Sequence, residues 1–266
     1  MRGSGVQVTQ AAPFKNPALM TGFFVSVNQM GVERMTENNL AGLLLAWYEQ
    51  HGRELPWRVK GGAHPDPYVI LVSELMLQQT TVKTVIPYFH RFMKRFPTVK
   101  DLAEATQEEV YFYWQGLGYY TRARSLHTTA RLVMEKFNGR FPEKREDVLK
   151  LKGIGPYTVA SFLALAFNQP ETVVDGNVIR VISRLFRLTE PVSEILPQIR
   201  EKAAGLNDRT RPADYASAIM DLGAMICTPK NPQCLLCPWQ EYCLSKTDPG
   251  LEEIPRRGKP AKKVKN

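Results

Sequence analysis

Two carboxylates and four thiols are the side chains of this sequence best placed to do chemistry. Glu74 lies in the middle of Tyr68–Gln79, YVILVSELMLQQ, a run that is apolar nearly all round a helix and should therefore be buried. A carboxyl group desolvated there has a raised pKa and carries a proton at neutral pH, as a general acid needs. Asp175 sits in Val174-Asp175-Gly176-Asn177, immediately ahead of a second helical pattern. By local pattern alone it is a helix N-cap. With a second carboxylate near by, it could instead stabilise a developing positive charge. Cys227, Cys234, Cys237 and Cys243 are the only four cysteines and follow a C-x6-C-x2-C-x5-C spacing. Disulfide staples would be scattered through a small secreted domain, so this tight cluster reads as a metal centre. Zinc usually takes two C-x2-C knuckles and only one is present, so the residues leave zinc and an iron–sulfur cluster both open.

The elements that must position these groups read as helices. Leu151-Lys152-Gly153-Ile154-Gly155 looks like a hairpin in which Gly153 and Gly155 permit positive φ and a close approach, turning backbone N–H groups outward to a phosphate. The helix after it starts near Pro156, and its N-terminus adds a partial positive charge. Val159–Phe167 is almost wholly apolar and should be buried. After Asp175, the residues Val178, Ile179, Val181, Ile182, Leu185 and Phe186 share one helical face, with Arg180, Arg184 and Arg187 on the other. Further helices are expected over Glu37–Gln50, Thr81–Phe96, Val99–Ala105, Glu108–Trp114, Thr121–Phe137, Arg145–Leu151, Val192–Leu206 and Ala213–Ile226. Asp66 should cap the Tyr68 helix with Pro67 in its first turn, after a loop over Lys60–His64. Gln115–Tyr120 is a glycine-broken loop tipped with aromatics that could enter a base stack. No strand-period segment or repeat occurs, so the expected fold is all-α.

With 266 residues the chain has room for two modest domains. Its net charge of +9 and pI near 9.4 favour a polyanionic partner. The composition is that of a soluble globular protein, and no apolar run is long enough to span a membrane. Residues 1–35 lack a signal-peptide pattern and read as a disordered leader, and nothing argues for export. Residues 247–266 form a basic tail, densest from Arg256 to Lys265, expected to be a disordered arm.

Taken together, Leu55-Pro56-Trp57-Arg58, Ser73-Glu74-Leu75-Met76-Leu77-Gln78-Gln79-Thr80, Gly116-Leu117-Gly118-Tyr119-Tyr120, Val174-Asp175-Gly176-Asn177 and the cysteine spacing resemble one family. It is the MutY-type adenine DNA glycosylases of the helix-hairpin-helix endonuclease III superfamily, over about Thr36 to Ser245. The resemblance implies a six-helix domain over 64–167 and a discontinuous cluster domain over 36–63 and 168–246, with a DNA cleft between them. It selects a [4Fe–4S] cluster for the four cysteines. It implies that Glu74 protonates adenine N7 and that Asp175 stabilises the oxocarbenium-like sugar, with Asn177 and Tyr157 holding the pair. Gly153, Ile154 and Gly155 would grip DNA, and Gln79 and Tyr119 would act as wedges in the stack. Thr80 and Leu117 would lie near the base opposite adenine, and Arg53 and Ser217 in the adenine pocket.

The lyase lysine of related enzymes is replaced by Tyr157, which implies a monofunctional glycosylase acting on adenine opposite 8-oxoguanine or guanine. The expected partner is duplex DNA carrying that mispair. The protein would be a monomer in a prokaryotic cytoplasm, at the nucleoid. The sequence departs from the family pattern in lacking the C-terminal Nudix-like domain. It also has Ala216-Ser217 where Asn and an amide or acidic residue are usual. A thymine or uracil mismatch glycosylase, or a non-catalytic DNA-binding iron–sulfur module, are the rival expectations.

Overall fold

Short polar side chains start five of the helices. Asp66, Thr81, Thr98, Thr106 and Asp175 each accept a backbone N–H from the first turn that follows, and Thr98 forms a full capping box with Asp101. The computed structural model describes residues 29–59 and 65–256, with side chains from Leu40 onward. Residues 1–28 of the expected leader, the Lys60–His64 loop and the tail from 257 on lie outside the described residues.

The helices are α1 Gln29–His51, α2 Pro67–Leu77, α3 Val82–Arg95, α4 Val99–Glu104, α5 Gln107–Trp114, α6 Tyr120–Phe137, α7 Arg145–Val148, α8 Pro156–Phe167, α9 Gly176–Leu185, α10 Val192–Leu206 and α11 Pro212–Asp221. The fold is all-α, and among the described residues the only β pairing is an isolated bridge from Pro191 to Arg256. No helix there is long and apolar enough to cross a membrane. Two expectations need correcting. The first helix begins at Gln29, so Thr36–Asn39 lie inside it. The Ala213–Ile226 helix is not continuous: α11 gives way to a π turn over Leu222–Ile226.

Two hydrophobic cores form. The first gathers α2 to α8 around Phe92, Phe96, Trp114 and Phe162, and recruits Leu55, Trp57, Val173 and Ala216 from flanking chain. The second packs α1, α9, α10 and α11 around Leu44, Ile182, Ile199 and Leu222. Trp239, fully buried in that second core, donates its indole N–H to the Leu40 carbonyl at 2.8 Å and so ties the cysteine segment to α1. Helix α11 touches both sides: it packs on α8 and on α1, and Met220 lies against both cores. Glu74 therefore belongs to a helix of one core, while Asp175 caps a helix of the other.

Candidate active site and cysteine centre

A cavity of about 860 Å³ opens between the two cores. Glu74, Tyr157, Asp175, Asn177, Arg53, Thr80 and Ser217 all line it. Sequence positions from 53 to 217 thus converge on one cleft.

Glu74 is partly buried on an otherwise apolar helix. Burial pushes its carboxyl up to about 7; a hydrogen bond from Ser161 opposes the shift, Asp175 adds to it and Arg58 opposes it. The Ser161 hydroxyl, fully buried on α8, donates to the Glu74 carboxylate. Tyr157 stands one turn before Ser161 and bonds the same hydroxyl. Burial, with the two carboxyls near by, holds its phenol protonated. Asp175 is indeed an N-cap: one oxygen accepts the Val178 N–H at 2.7 Å. Its other oxygen accepts the Asn177 amide at 2.9 Å. Asn177 in turn accepts from Arg180 at 2.9 Å, and Arg180 also donates to the carbonyls of Cys227 and Gly223, both at 2.7 Å. Gly223 lies in the π turn, where an added Cβ would meet the Asn177 Cβ at 2.6 Å, so only glycine lets the turn sit so close. π turns recur at functional sites because they re-aim a helix without ending it.

Arg53 and Arg58 approach the cleft wall together. Both bind Asp221, whose side chain is fully buried: Arg53 through two guanidinium nitrogens at 2.6 and 2.8 Å and Arg58 at 2.8 Å, with the Arg53 backbone N–H adding a fourth contact at 2.8 Å. Burial alone would raise this carboxyl, yet the two guanidinium groups hold it below the usual range. Ser217 is buried at the cleft wall, its hydroxyl bonded to Tyr48. Ser161, Arg58, Asp221, Tyr48 and Arg180 were not singled out by sequence reasoning. Their partners lie far off in the chain, and only the short motif Leu55–Arg58 hinted at one of them.

The DNA-facing candidates lie outside this cleft, Thr80 excepted. Gly153 has φ +80°, and a Cβ there would meet the Ser125 Cβ at 2.7 Å, so the hairpin requires glycine at that position. Gly155 does not use positive φ: it is the extended N-cap of α8, and a Cβ on it would meet nothing. Ile154 is buried beneath them. Gln79 and Tyr119 both adopt left-handed backbone, at φ +59° and +48°. Tyr119 is 61% exposed, whereas the Leu117 side chain is packed into the first core.

None of the four cysteines is in a disulfide, and all four border one small cavity together with Arg184, Gln240 and Lys246. Among the described residues no three His, Cys, Asp or Glu side chains converge as a single-ion site. Four thiols around one shared cavity are a complete ligand set, which either a zinc ion or an iron–sulfur cluster could use. Arg184 lies here, correcting the expected solvent face of α9. It is buried and donates to the Thr228 carbonyl at 2.6 Å, the Pro229 carbonyl at 3.0 Å and the Cys227 sulfur at 3.6 Å.

Residues 72–204 match the HhH-GPD superfamily of base excision DNA repair proteins. The chain belongs to that family. Residues 227–243 match the iron–sulfur binding domain of endonuclease III and make this segment a [4Fe–4S]-binding domain. Relatives carrying the name adenine DNA glycosylase include the rat protein, 45% identical over 75% of this chain and 40% of its own length. The human protein is 42% identical over 80% and 40%, and one from Buchnera aphidicola subsp. Baizongia pistaciae is 38% identical over 79% and 59%. The chain spans about two fifths of the length of the mammalian relatives. A thermostable thymine-DNA glycosylase superposes with a TM-score of 0.71 at 28% identity, over 82% of this chain and 99% of that one. Endonuclease III in a non-covalent DNA complex shares the fold, with a TM-score of 0.63 at 22% identity over 83% and 97%.

Proposed function

We propose that this chain is a monofunctional adenine DNA glycosylase that hydrolyses the bond between adenine and its sugar where adenine faces 8-oxoguanine or guanine. The observation that carries this reading is Glu74: a carboxyl group with its proton affinity raised to about 7, in the same cleft as the Asp175 carboxylate. A base must leave the duplex to reach such a cleft. Adenine is a poor anionic leaving group, so Glu74 delivers its proton to N7 as the C1′–N9 bond breaks and the bonding electrons depart with the base. Asp175 faces the cationic sugar and forms a transient adduct with it; water then adds at C1′ as the bond to the Asp175 carboxylate breaks, and gives its proton to the now ionised Glu74, as in retaining glycosidases. Asn177 fixes the orientation of Asp175, while Tyr157 and Ser161 fix Glu74. No lysine is among the described residues that line the cleft, which fits hydrolysis without a Schiff base and strand cleavage.

On the same reading Arg53 and Ser217 border the extruded base. Gly153 and Gly155 present backbone N–H groups to phosphate, with Ile154 buried between them as their anchor, and the partner is duplex DNA. Gln79 and Tyr119 enter the stack, and Thr80 and Leu117 lie towards the opposing base. Cys227, Cys234, Cys237 and Cys243 hold the cluster, which when bound fixes the fold of this loop against α9. The domain division that accompanies this reading assigns 64–167 to the helical domain and 36–63 with 168–246 to the cluster domain.

A panel of duplexes carrying A:8-oxoG, A:G, A:C, T:G and U:G under single turnover tests the proposal. Excision confined to adenine is the expected result. Removal of thymine or uracil with adenine left in place would favour the thymine-glycosylase likeness instead.

A further inference from the structure

Arg122 is the most heavily engaged cation of the first core. It sits near the start of α6, 7% exposed, and no carboxylate is among its partners in the described residues. Its guanidinium donates instead to two separate stretches of chain. On one side it reaches the carbonyls of Leu75 at 3.1 Å, Met76 at 2.9 Å and Gln78, and the Thr80 hydroxyl at 3.3 Å. On the other it reaches the carbonyls of Leu117 at 3.1 Å and Gly118 at 3.3 Å. The same guanidinium lies over the Trp114 ring at 5.6 Å and the Tyr119 ring at 5.3 Å, and the Trp114 indole donates to Gly118 at 3.1 Å.

These two stretches carry Gln79 and Tyr119, the two residues read above as entering the stack. Both hold left-handed backbone, unfavourable for residues with a Cβ, and so depend on surroundings that over-determine their conformation. Arg122 grips the residues on both sides of Gln79, and the carbonyl just before Tyr119 together with the Tyr119 ring itself. Only a planar fork with several donors can serve so many acceptors at once; a lysine ammonium cannot.

We propose that Arg122 is a positioning residue that fuses these two loops into one rigid wedge, so that Gln79 and Tyr119 enter the duplex in a fixed mutual register. The proposal rests on the reading of both residues as DNA-intruding. It makes Arg122 responsible for extruding the base and leaves the bond-breaking step to the cleft.

The test compares wild type and Arg122→Lys on two substrates by single-turnover excision, with a fluorescent adenine analogue beside the mispair to report unstacking. One substrate is a fully paired mispair duplex. The other presents adenine in a single-base bulge, already largely unstacked. In the duplex, Arg122→Lys should slow unstacking and excision on the order of 10²-fold, the cost of about a 1 Å misplacement. On the bulge the two enzymes should agree within about twofold. In a Gln79→Ala/Tyr119→Ala background, adding Arg122→Lys should also change the duplex rate by no more than about twofold, because a positioning residue has nothing left to position.

Active-site titration on the bulge counts only folded enzyme, so partial unfolding does not imitate the effect. Equal losses on both substrates, or a full multiplicative loss in the doubly substituted background, would overturn the proposal and leave Arg122 as a fold-stabilising residue. If wild type leaves adenine untouched on every substrate, the glycosylase reading fails. The unstacking signal then still decides Arg122 by itself: a slower rise in Arg122→Lys supports the wedge, and an unchanged one overturns it.

Discussion

Replacing Glu74 by Gln should move stability and activity in opposite directions. The Glu74 carboxyl ionises near 7 in the folded chain, against 4.5 when unperturbed, chiefly because burial penalises the charge. A raised carboxyl binds its proton more tightly in the folded than in the unfolded state. The fold therefore loses stability as pH climbs from about 4.5 to about 7, and the loss is complete above that window. A shift of this size corresponds to about 3 kcal/mol. Glutamine keeps an oxygen to accept the Ser161 hydroxyl and carries no charge, so Glu74→Gln should be the more stable protein at pH 8, by up to about 3 kcal/mol. That is roughly 6–12 °C in melting temperature for a chain of this size. The difference should vanish towards pH 4.5.

Activity should run the other way, because the amide has no proton to give. In the wild type the single-turnover excision rate should fall about five- to sixfold from pH 7 to pH 8, following the protonated fraction of a group that ionises near 7. Melting curves at several pH values, with quench-flow excision alongside, read both quantities. If Glu74→Gln melts no higher than wild type at pH 8, the carboxyl is not desolvated as described. If it still turns over near normally, Glu74 is not the acid.

Asparagine caps helices about as well as aspartate, so Asp175→Asn should melt close to wild type while excision falls by about 10²–10³-fold, the scale for losing one charge-stabilising group; an active variant would leave Asp175 as a cap alone. Arg180→Ala strands the buried carbonyls of Gly223 and Cys227 and frees Asn177, at about 1–3 kcal/mol for each unpaired group. It should lower both the excision rate and the retention of iron under a chelator; iron retention equal to wild type would show that the link carries nothing from the cysteine loop. Purified protein should be yellow-brown with about four irons per chain, falling in Cys237→Ser, whereas colourless protein with stoichiometric zinc would refute the cluster. Ser217→Gln places an amide beside the cleft and should sharpen discrimination for adenine by about 1–3 kcal/mol, read as the ratio of excision rates on A:8-oxoG and T:G; no change would mean the base does not reach this wall.

The parts of this molecule written in local pattern were legible in the sequence. The caps at Asp66 and Asp175, the apolar run around Glu74 and the buried helix α8 all follow from spacing and residue type, because a helix needs only its own neighbours to declare itself. Groups whose meaning depends on a distant partner were not legible. Arg122, Arg180 and Arg184 occupy positions that would face water on an isolated amphipathic helix, and periodicity assigned the last two to an outer face. In the fold those faces are covered by other chain, and the guanidinium groups are spent on backbone carbonyls that no side-chain pattern reveals. Ser161 lies inside the apolar run Val159–Phe167 and Asp221 inside the helical pattern Ala213–Ile226, and neither pattern points to their partners. The spacing allows positive φ at both Gly153 and Gly155, yet only Gly153 adopts it and only Gly153 is crowded by Ser125.

A common logic connects these omissions. Each carboxylate of the cleft is set by groups from more than one part of the chain. Glu74 on α2 takes its hydrogen bond from Ser161 on α8 and feels Arg58 from the segment after α1. Arg58 is itself fixed by Asp221 at the end of α11. Asp175 is fixed through Asn177 and Arg180 by the π turn that continues α11 towards Cys227. The end of α11 therefore governs both carboxylates: Asp221 steadies the cation that restrains the Glu74 proton affinity, and Gly223 lets the turn close on Asn177. A single rigid connection of this kind keeps the acid and the counter-charge in register although they rise from different cores. A change of packing at Met220, which touches both cores, should thus disturb the two carboxylates together rather than one at a time.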